Sequence, residues 1–375
     1  MKKENDAVLL LDDGSFFYGF GFGAKTERTG EIVFNTALTG YEEILTDPSY
    51  CGQIVLMCYP HIGNYGINFK DSESFKIWVE GFVVREYSKV HSNWQAKISL
   101  EDFLKKYRIP GIEGIDTRKI VKKIREKGSM KAILSRIDLD IKSLTKKLKK
   151  APSIIGKDLV SVVNRSPYSV FRRYRATERQ SDRATVAVID FGVKLNIIRL
   201  LEKVGLRVIV LKGNTELKEI LKLKPDGVLL SNGPGDPEGV KYGINLAREL
   251  INYNKENYLP TLGICLGHQL IGLGSGAKTF KLKFGHHGGN HPVKNLKTGK
   301  IEITVQNHNF CVDPETISSD FEMTHINLND GTLEGMKHKY FPVLSFQYHP
   351  EGSPGPHDSE YIFQEFKKLI YAKKT

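Results

Sequence analysis

A cysteine between two glycines is the strongest chemical signal in this 375-residue sequence. Gly263-Ile-Cys265-Leu-Gly267 follows the apolar run PTLGI at 260–264 and precedes a helical pattern. It has the form Gly-x-nucleophile-x-Gly, in which a tight turn from a strand to a helix lifts one side chain above the sheet. The helix N-terminus favours a thiolate there, and the N–H of Leu266 is available to an oxyanion. The turn alone leaves a buried structural cysteine as an open alternative.

A base for this cysteine is found at the end of the apolar segment PVLSFQYHPE at 342–351. Pro350 ends the strand just after His349. His349 and Glu351 are two residues apart, so in an extended chain their side chains point the same way. Glu351 is then placed to accept from one ring nitrogen while the other faces the thiol. A His-x-Glu alone is usually surface chemistry, but with Cys265 it predicts a nucleophile, a base and a group that orients the base.

The loop LSNGPGDP at 230–237 supplies a third element, with Gly233 and Gly235 at its centre. It lacks the Lys-Ser/Thr of a P-loop and the spacing of a dinucleotide-binding loop. Backbone contacts to a small polar substrate, or to its oxyanion, therefore fit better than a phosphate site, although a plain turn stays open. Ligands bind at the carboxyl ends of strands in open α/β sheets, so this loop and Cys265 are expected to meet.

The histidine cluster at 285–291 is a candidate metal centre. His286, His287 and His291 offer imidazoles to zinc or copper, but no carboxylate or thiolate lies close in sequence. We therefore predict no metal site.

Two domains and a connector are predicted from the pattern along the chain. Residues 185–375 alternate apolar strands with helical segments, which is typical of a doubly wound, mostly parallel α/β sheet. Residues 1–150 contain short strands rich in β-branched and aromatic residues, with helices between the later ones, and predict a mixed α/β N-terminal domain. Residues 151–184 are rich in arginine and without sustained periodicity, which indicates a basic linker.

Composition narrows the class of protein. The chain has 40% hydrophobic and 26% charged residues, no apolar run near 18 residues and four cysteines without a Cys-x-x-Cys pair, which fits a globular protein of a reducing compartment. Its net charge of +12 raises nucleic acid as a partner. That charge is spread over the linker and both domains, with no aromatic-interleaved basic motif, so we predict neither a nucleic-acid nor a membrane partner. The expected location is the cytoplasm, or the plastid stroma if the lysine-rich usage reflects an organellar genome.

Longer strings in both domains resemble a known family. Residues 185–375 are similar to class I, triad-type glutamine amidotransferases through the three elements above. The whole chain resembles the small subunits of glutamine-hydrolysing carbamoyl phosphate synthases. The strings that support this likeness are GEIVFNTALTGYEEILTDPSY (30–50), YPHIGNYG (59–66), GIDTRKIVKKIREKG (114–128), GAKTFKLKFGHHGGNHPV (276–293), QNHNF (306–310) and SPGPHD (353–358).

The resemblance implies a role for each catalytic position. Cys265 would attack the amide carbon of glutamine to give a γ-glutamyl thioester. His349 would protonate the departing ammonia and then activate water, and Glu351 would orient His349. The N–H groups of Leu266 and Gly233 would form the oxyanion hole.

The resemblance also implies a glutamine pocket. Gln269 lies four residues after Cys265 and hence on the same helix face, which supports its place there. Asn309 stands where the family usually has glycine, and its contact is expected through the backbone, because asparagine tolerates left-handed conformations. The expected glutamine-binding residues are Ser49, Gly233, Gly235, Leu266, Gln269, Asn307, Asn309 and Phe310.

A partner follows from the same likeness. Ammonia would pass to a large synthetase subunit that binds ATP and magnesium and makes carbamoyl phosphate from bicarbonate for pyrimidine and arginine synthesis. This chain itself is expected to hold no cofactor, and its N-terminal domain is expected to contact the large subunit. Two alternatives stay open: a glutaminase subunit of another aminating synthase, and a catalytically inactive amidotransferase fold that binds nucleic acid. The intact Cys265, His349 and Glu351 weigh against the second.

Overall fold

A computed structural model of the chain describes residues 4–164 and 183–372. They form two compact units. The first unit takes the described residues up to Ile154 and also Lys283–Gly288, and all other described residues belong to the second. Both units combine helices and strands, which confirms the predicted fold class of a mixed α/β N-terminal domain followed by a C-terminal α/β domain.

The first unit is built around a closed barrel with the strand order β1-β2-β8-β6-β4-β3-β9. Its strands are β1 (Ala7–Leu11), β2 (Phe16–Gly23), β3 (Glu27–Asn35), β4 (Gln53–Met57), β5 (His61–Ile62), β6 (Gly81–Val83), β7 (Glu86–Tyr87), β8 (Pro110–Glu113) and β9 (Met130–Ser135). Its helices are α1 (Tyr41–Thr46), α2 (Leu100–Lys106), α3 (Thr117–Lys127) and α4 (Ile141–Lys150). Strands β5 and β7 pair separately.

Alternation along β1 shows how the barrel acquires two apolar surfaces. Leu9 and Leu11 join the core that includes α3, whereas Val8 and Leu10 pack with residues of α4. Successive side chains of a strand point to opposite faces, so a strand that is apolar on both faces has to be covered on both. The closed barrel also leaves its ladder without a free edge.

The second unit contains a nine-stranded sheet with the order β11-β10-β12-β13-β18-β17-β16-β14-β15. Its strands are β10 (Thr185–Asp190), β11 (Arg207–Lys212), β12 (Gly227–Leu230), β13 (Thr261–Ile264), β14 (Thr279–Asn295), β15 (Ile301–Val312), β16 (Phe321–Asn327), β17 (Leu333–His338) and β18 (Val343–Phe346). Its helices are α5 (Val160–Val163), α6 (Leu195–Lys203), α7 (Leu217–Lys222), α8 (Lys241–Tyr253), α9 (Leu266–Gly274) and α10 (Tyr361–Ala372).

The register of this sheet brings three strand ends together. Strands β11, β10, β12, β13 and β18 are parallel to one another. Beyond β18, the neighbouring pairs β18–β17, β17–β16 and β16–β14 are antiparallel. Strand β13 lies between β12 and β18, with Gly263 opposite both Leu230 and Ser345. The segments that follow β12, β13 and β18 therefore leave the sheet side by side, as the prediction of a shared crevice requires.

The predicted linker 151–184 is divided in the structure. Residues 155–164 belong to the second unit, where Val160 of α5 is fully buried in a core with Phe191 and Leu230. The arginines at 165, 172, 173, 175 and 179 lie outside the described residues. Within the described parts of the chain, none of the helices is long and apolar enough to cross a membrane.

Candidate active site

Cys265 occupies a sharp turn between β13 and α9. Its φ of 54° lies in the left-handed region, which costs free energy for a residue with a Cβ and is often found at functional sites. Its N–H donates to the Phe346 carbonyl over 2.8 Å. A Cβ on Gly263 would lie 2.7 Å from Ile271 Cδ1, and one on Gly267 would overlap the Leu230 carbonyl. Sterics thus require both glycines of the motif, and the turn holds the cysteine at the start of a helix.

The glycine loop after β12 lies directly beside this turn. A Cβ on Gly233 would come within 2.7 Å of Leu266 Cδ2, so the two residues predicted to supply oxyanion N–H groups are neighbours. The N–H of Leu266 is among the first of α9, which have no acceptor within the helix. Gly235 has a φ of 90° and packs against Leu159. The first part of the predicted linker therefore supports this loop.

His349 and Glu351 meet as predicted, although in a different backbone. Strand β18 ends at Phe346, so the two residues are not in a continuous strand. The His349 N–H instead donates to the Val305 carbonyl over 2.9 Å, and the chain turns after it. His349 Nδ1 lies 2.6 Å from Glu351 Oε1, and both residues are buried. The carboxylate thus sets which ring nitrogen is left for the thiol.

Lys194 is the residue of this site that our sequence analysis missed. Its Nζ lies 3.0 Å from Glu351 Oε1 and donates to the Gly352 carbonyl over 2.5 Å. The ammonium is buried with the carboxylate, so the ion pair is shielded from water. Asn196, two residues later in the first turn of α6, donates to the Glu351 carbonyl over 2.5 Å. One signal was present in the sequence: a lysine at the start of a helix is electrostatically unfavourable and indicates a nearby anion.

Neighbouring charges favour the protonated form of His349. Burial by itself lowers the pKa of His349, but the negative charges of Glu351 and of Cys265 outweigh it and raise that pKa above its ordinary value. Burial raises the pKa of Glu351, and Lys194 and His349 together bring it below its usual range. The Cys265 side chain also interacts with the His349 ring, whose second nitrogen, Nε2, is not engaged by Glu351. The site therefore favours an imidazolium at His349 beside the Cys265 side chain.

Three of the predicted glutamine-binding residues cluster around the cysteine. The Cys265 thiol lies 3.6 Å from the Asn307 carbonyl. Gln269 Nε2 donates to the Phe310 carbonyl over 2.7 Å and to Gln347 Oε1 over 3.1 Å. Strand β15 is therefore held against both ends of the first turn of α9.

Asn309 and Ser49, two further predicted glutamine-binding residues, belong to different units. The backbone at Asn309 does not take the left-handed conformation that our prediction allowed for, since the described residues with positive φ do not include it. A side chain is therefore accommodated there without strain. Ser49 lies in the first unit, buried in the 3-10 helix Pro48–Tyr50, with its N–H bound to Asp47 Oδ1 over 2.9 Å. The glutamine-binding roles of both residues stay predictions, as do those of the other expected glutamine-binding residues.

Comparison with known proteins places both units in families. The family described as glutamine amidotransferase class-I matches residues 187–369, and the carbamoyl-phosphate synthase small chain, CPSase domain matches residues 9–134. The curated carbamoyl phosphate synthase small chain of Aquifex aeolicus is 54% identical over 371 residues, covering 97% of this chain and 98% of the relative. That of Chlorobaculum tepidum is 50% identical over 373 residues, covering both chains completely.

The fold, the cysteine turn and the family match define the second unit as a class I glutamine amidotransferase domain. The match to the small-chain domain and the full-length relatives go further. The chain belongs to the family of carbamoyl phosphate synthase small chains, the subunits of a glutamine-hydrolysing enzyme.

Proposed function

We propose that this chain hydrolyses L-glutamine through Cys265, His349 and Glu351 and delivers the ammonia to a large synthetase subunit. The observation on which the proposal rests is the buried array in which Lys194 neutralises Glu351, Glu351 holds His349 and His349 is charged beside Cys265. A thiolate–imidazolium pair next to the N–H of Leu266 at the start of a helix is suited to acyl transfer from an amide.

The order of proton transfers follows from this charge distribution. The Cys265 thiolate adds to the amide carbon of glutamine, and the oxyanion accepts from the N–H groups of Leu266 and Gly233. The His349 imidazolium gives its proton to the leaving nitrogen, so that ammonia departs and a γ-glutamyl thioester forms. Neutral His349 then takes a proton from water, whose oxygen attacks the thioester. Glutamate leaves, and the thiolate and the imidazolium are restored.

The partner and the product complete the proposal. The large subunit binds ATP and magnesium and combines the ammonia with bicarbonate to give carbamoyl phosphate for pyrimidine and arginine synthesis. Membership of the small-chain family supports this division of labour. The first unit is proposed to make most of the contact with the large subunit.

Replacing the nucleophile tests the proposal. Cys265→Ala removes the thiolate, so glutamine-dependent synthesis by the complex should fall by at least about 10³-fold, while synthesis from free ammonia persists. The measurement compares both nitrogen sources in the complex with its copurified large subunit. Cys58→Ala is the matched control, since Cys58 lies in the first unit. Full glutaminase activity in Cys265→Ala would contradict the triad.

A further inference from the structure

Gln269 is held by two acceptors at the same nitrogen. Its Nε2 donates to the Phe310 carbonyl on β15 and to Gln347 Oε1, which follows the end of β18. Gln269 and Gln347 are both buried, at 3% and 0% exposure. The two contacts use both hydrogens of the Gln269 amide nitrogen.

This arrangement determines the orientation of both amides. A backbone carbonyl only accepts hydrogen bonds, so the atom of Gln269 that faces Phe310 has to be the nitrogen. The atom of Gln347 that faces this nitrogen then has to be its oxygen. Gln269 Oε1 makes no hydrogen bond to the described part of the chain. Its free lone pairs lie one helical turn from Cys265, on the face of α9 that holds the cysteine.

The Gln347 side chain contributes little to the stability of the folded chain. Its Nε2 is buried and has no hydrogen-bond partner among residues 4–164 and 183–372. A buried amide donor without an acceptor is costly, and an apolar side chain of similar length would avoid that cost. The residue therefore looks unfavourable as a simple core residue, and its acceptor oxygen is what distinguishes it from methionine.

We propose that Gln347 is a positioning residue: it fixes the amide of Gln269 so that Oε1 of Gln269 accepts a hydrogen bond from an N–H donor of the glutamine substrate. The inference rests on the proposed function for the identity of the substrate. Without Gln347, one of the two restraints on Gln269 is lost, and its amide is free to rotate and present a donor in place of an acceptor.

The test measures the Kd for L-glutamine by calorimetry on the full chain carrying Cys265→Ala, in which no turnover occurs. Adding Gln347→Met removes the amide acceptor at nearly constant length, and Kd should rise about three- to tenfold, the loss of one or two buried hydrogen bonds. Gln347→Glu keeps an acceptor oxygen whether its carboxyl is ionised or not, so Kd should stay within about twofold. The unfolding midpoint without glutamine should change by less than about 2 °C in Gln347→Met.

Coupling to Gln269 separates positioning from general packing. In a chain that also carries Gln269→Met, Gln347→Met should change Kd by less than about 1.5-fold, because its target is gone. The inference would be overturned if Gln347→Met raised Kd equally in both backgrounds or left Kd unchanged. It would also be overturned if Gln347→Glu failed to bind glutamine, or if no glutamine binding were seen at all. Failure of the proposed function shows differently, as absence of glutamine turnover by the unmodified chain with its large subunit.

Discussion

Two buried histidines of the second unit, His268 and His349, have opposite electrostatic environments. His268 lies on α9 with its Nδ1 2.9 Å from Ser345 Oγ, and burial lowers its pKa to about 3. His349 is just as deeply buried, yet its pKa is raised because Glu351 and Cys265 supply negative charge. Burial alone makes a histidine neutral. The positive charge of the site is therefore determined by neighbouring side chains and not by depth.

The two histidines also link stability to pH with opposite signs. The folded pKa of His349 is above its unfolded value, so its contribution is full below about pH 6.5 and is lost as pH rises through the folded pKa. The folded pKa of His268, about 3, is below its unfolded value. Its contribution is full above about pH 6.5 and is lost as pH falls toward 3.

The largest effect is expected when the charge beside His349 is removed. Glu351→Gln keeps the shape but leaves the imidazolium without its carboxylate, so kcat for glutamine should fall about 10³- to 10⁴-fold, as in triads of other enzymes. Steady-state kinetics with the large subunit measures it. Glu322→Gln is the control, because the Glu322 carboxylate is exposed and forms its ion pair with Lys337 at the surface. A fall in kcat of less than tenfold would contradict the idea that Glu351 gives His349 an environment different from that of His268.

A smaller effect is expected from the cation behind the carboxylate. Lys194→Met removes the ammonium that pairs with the buried Glu351 carboxylate. Because that negative charge then stays buried without this partner, the free energy of unfolding should fall by about 3–5 kcal/mol. Denaturant titration measures this. Lys203→Met, on the same helix at an exposed ion pair with Glu360, should stay within about 1 kcal/mol.

The double variant Lys194→Met, Glu351→Gln sharpens this second prediction. It removes both buried charges, so part of the lost stability should return. Strictly additive losses in the double variant would show that Lys194 does not act through Glu351.

The smallest effect concerns the neutral histidine. His268→Asn keeps an amide near Nδ1 but cannot take a proton, so it should remove about 2–3 kcal/mol of the stability that the chain loses between pH 6.5 and pH 4.5. Denaturant titrations at the two pH values measure the difference, and glutaminase activity at pH 7 should change less than about twofold. An unaltered pH dependence would mean that His268 is not neutral in the folded chain.

Contiguous motifs explain why much of the site was predictable. The turn at Cys265 depends on five successive residues, 263–267, and His349 and Glu351 are two residues apart. Local sterics therefore predict the turn, and local hydrogen bonding predicts the pair. The strand and helix alternation likewise predicted the second unit. Lys194 and Gln347 were missed because their partners, Glu351 and Gln269, are distant in sequence. Closure of the barrel was missed for the same reason, since it depends on pairings such as β1 with β9.

The middle of β14 belongs to the first unit, although the strand begins and ends in the second. The backbone carbonyl of Lys283 accepts from the Ser129 N–H over 2.8 Å, and that of His287 accepts from the Thr36 N–H over 3.2 Å. The chain therefore passes between the units three times, after residues 154, 282 and 288. The two units are therefore not consecutive along the chain. A single cut near residue 154 separates the first unit from its segment 283–288. An exchange of the first unit between relatives has to include residues 283–288 together with the N-terminal residues.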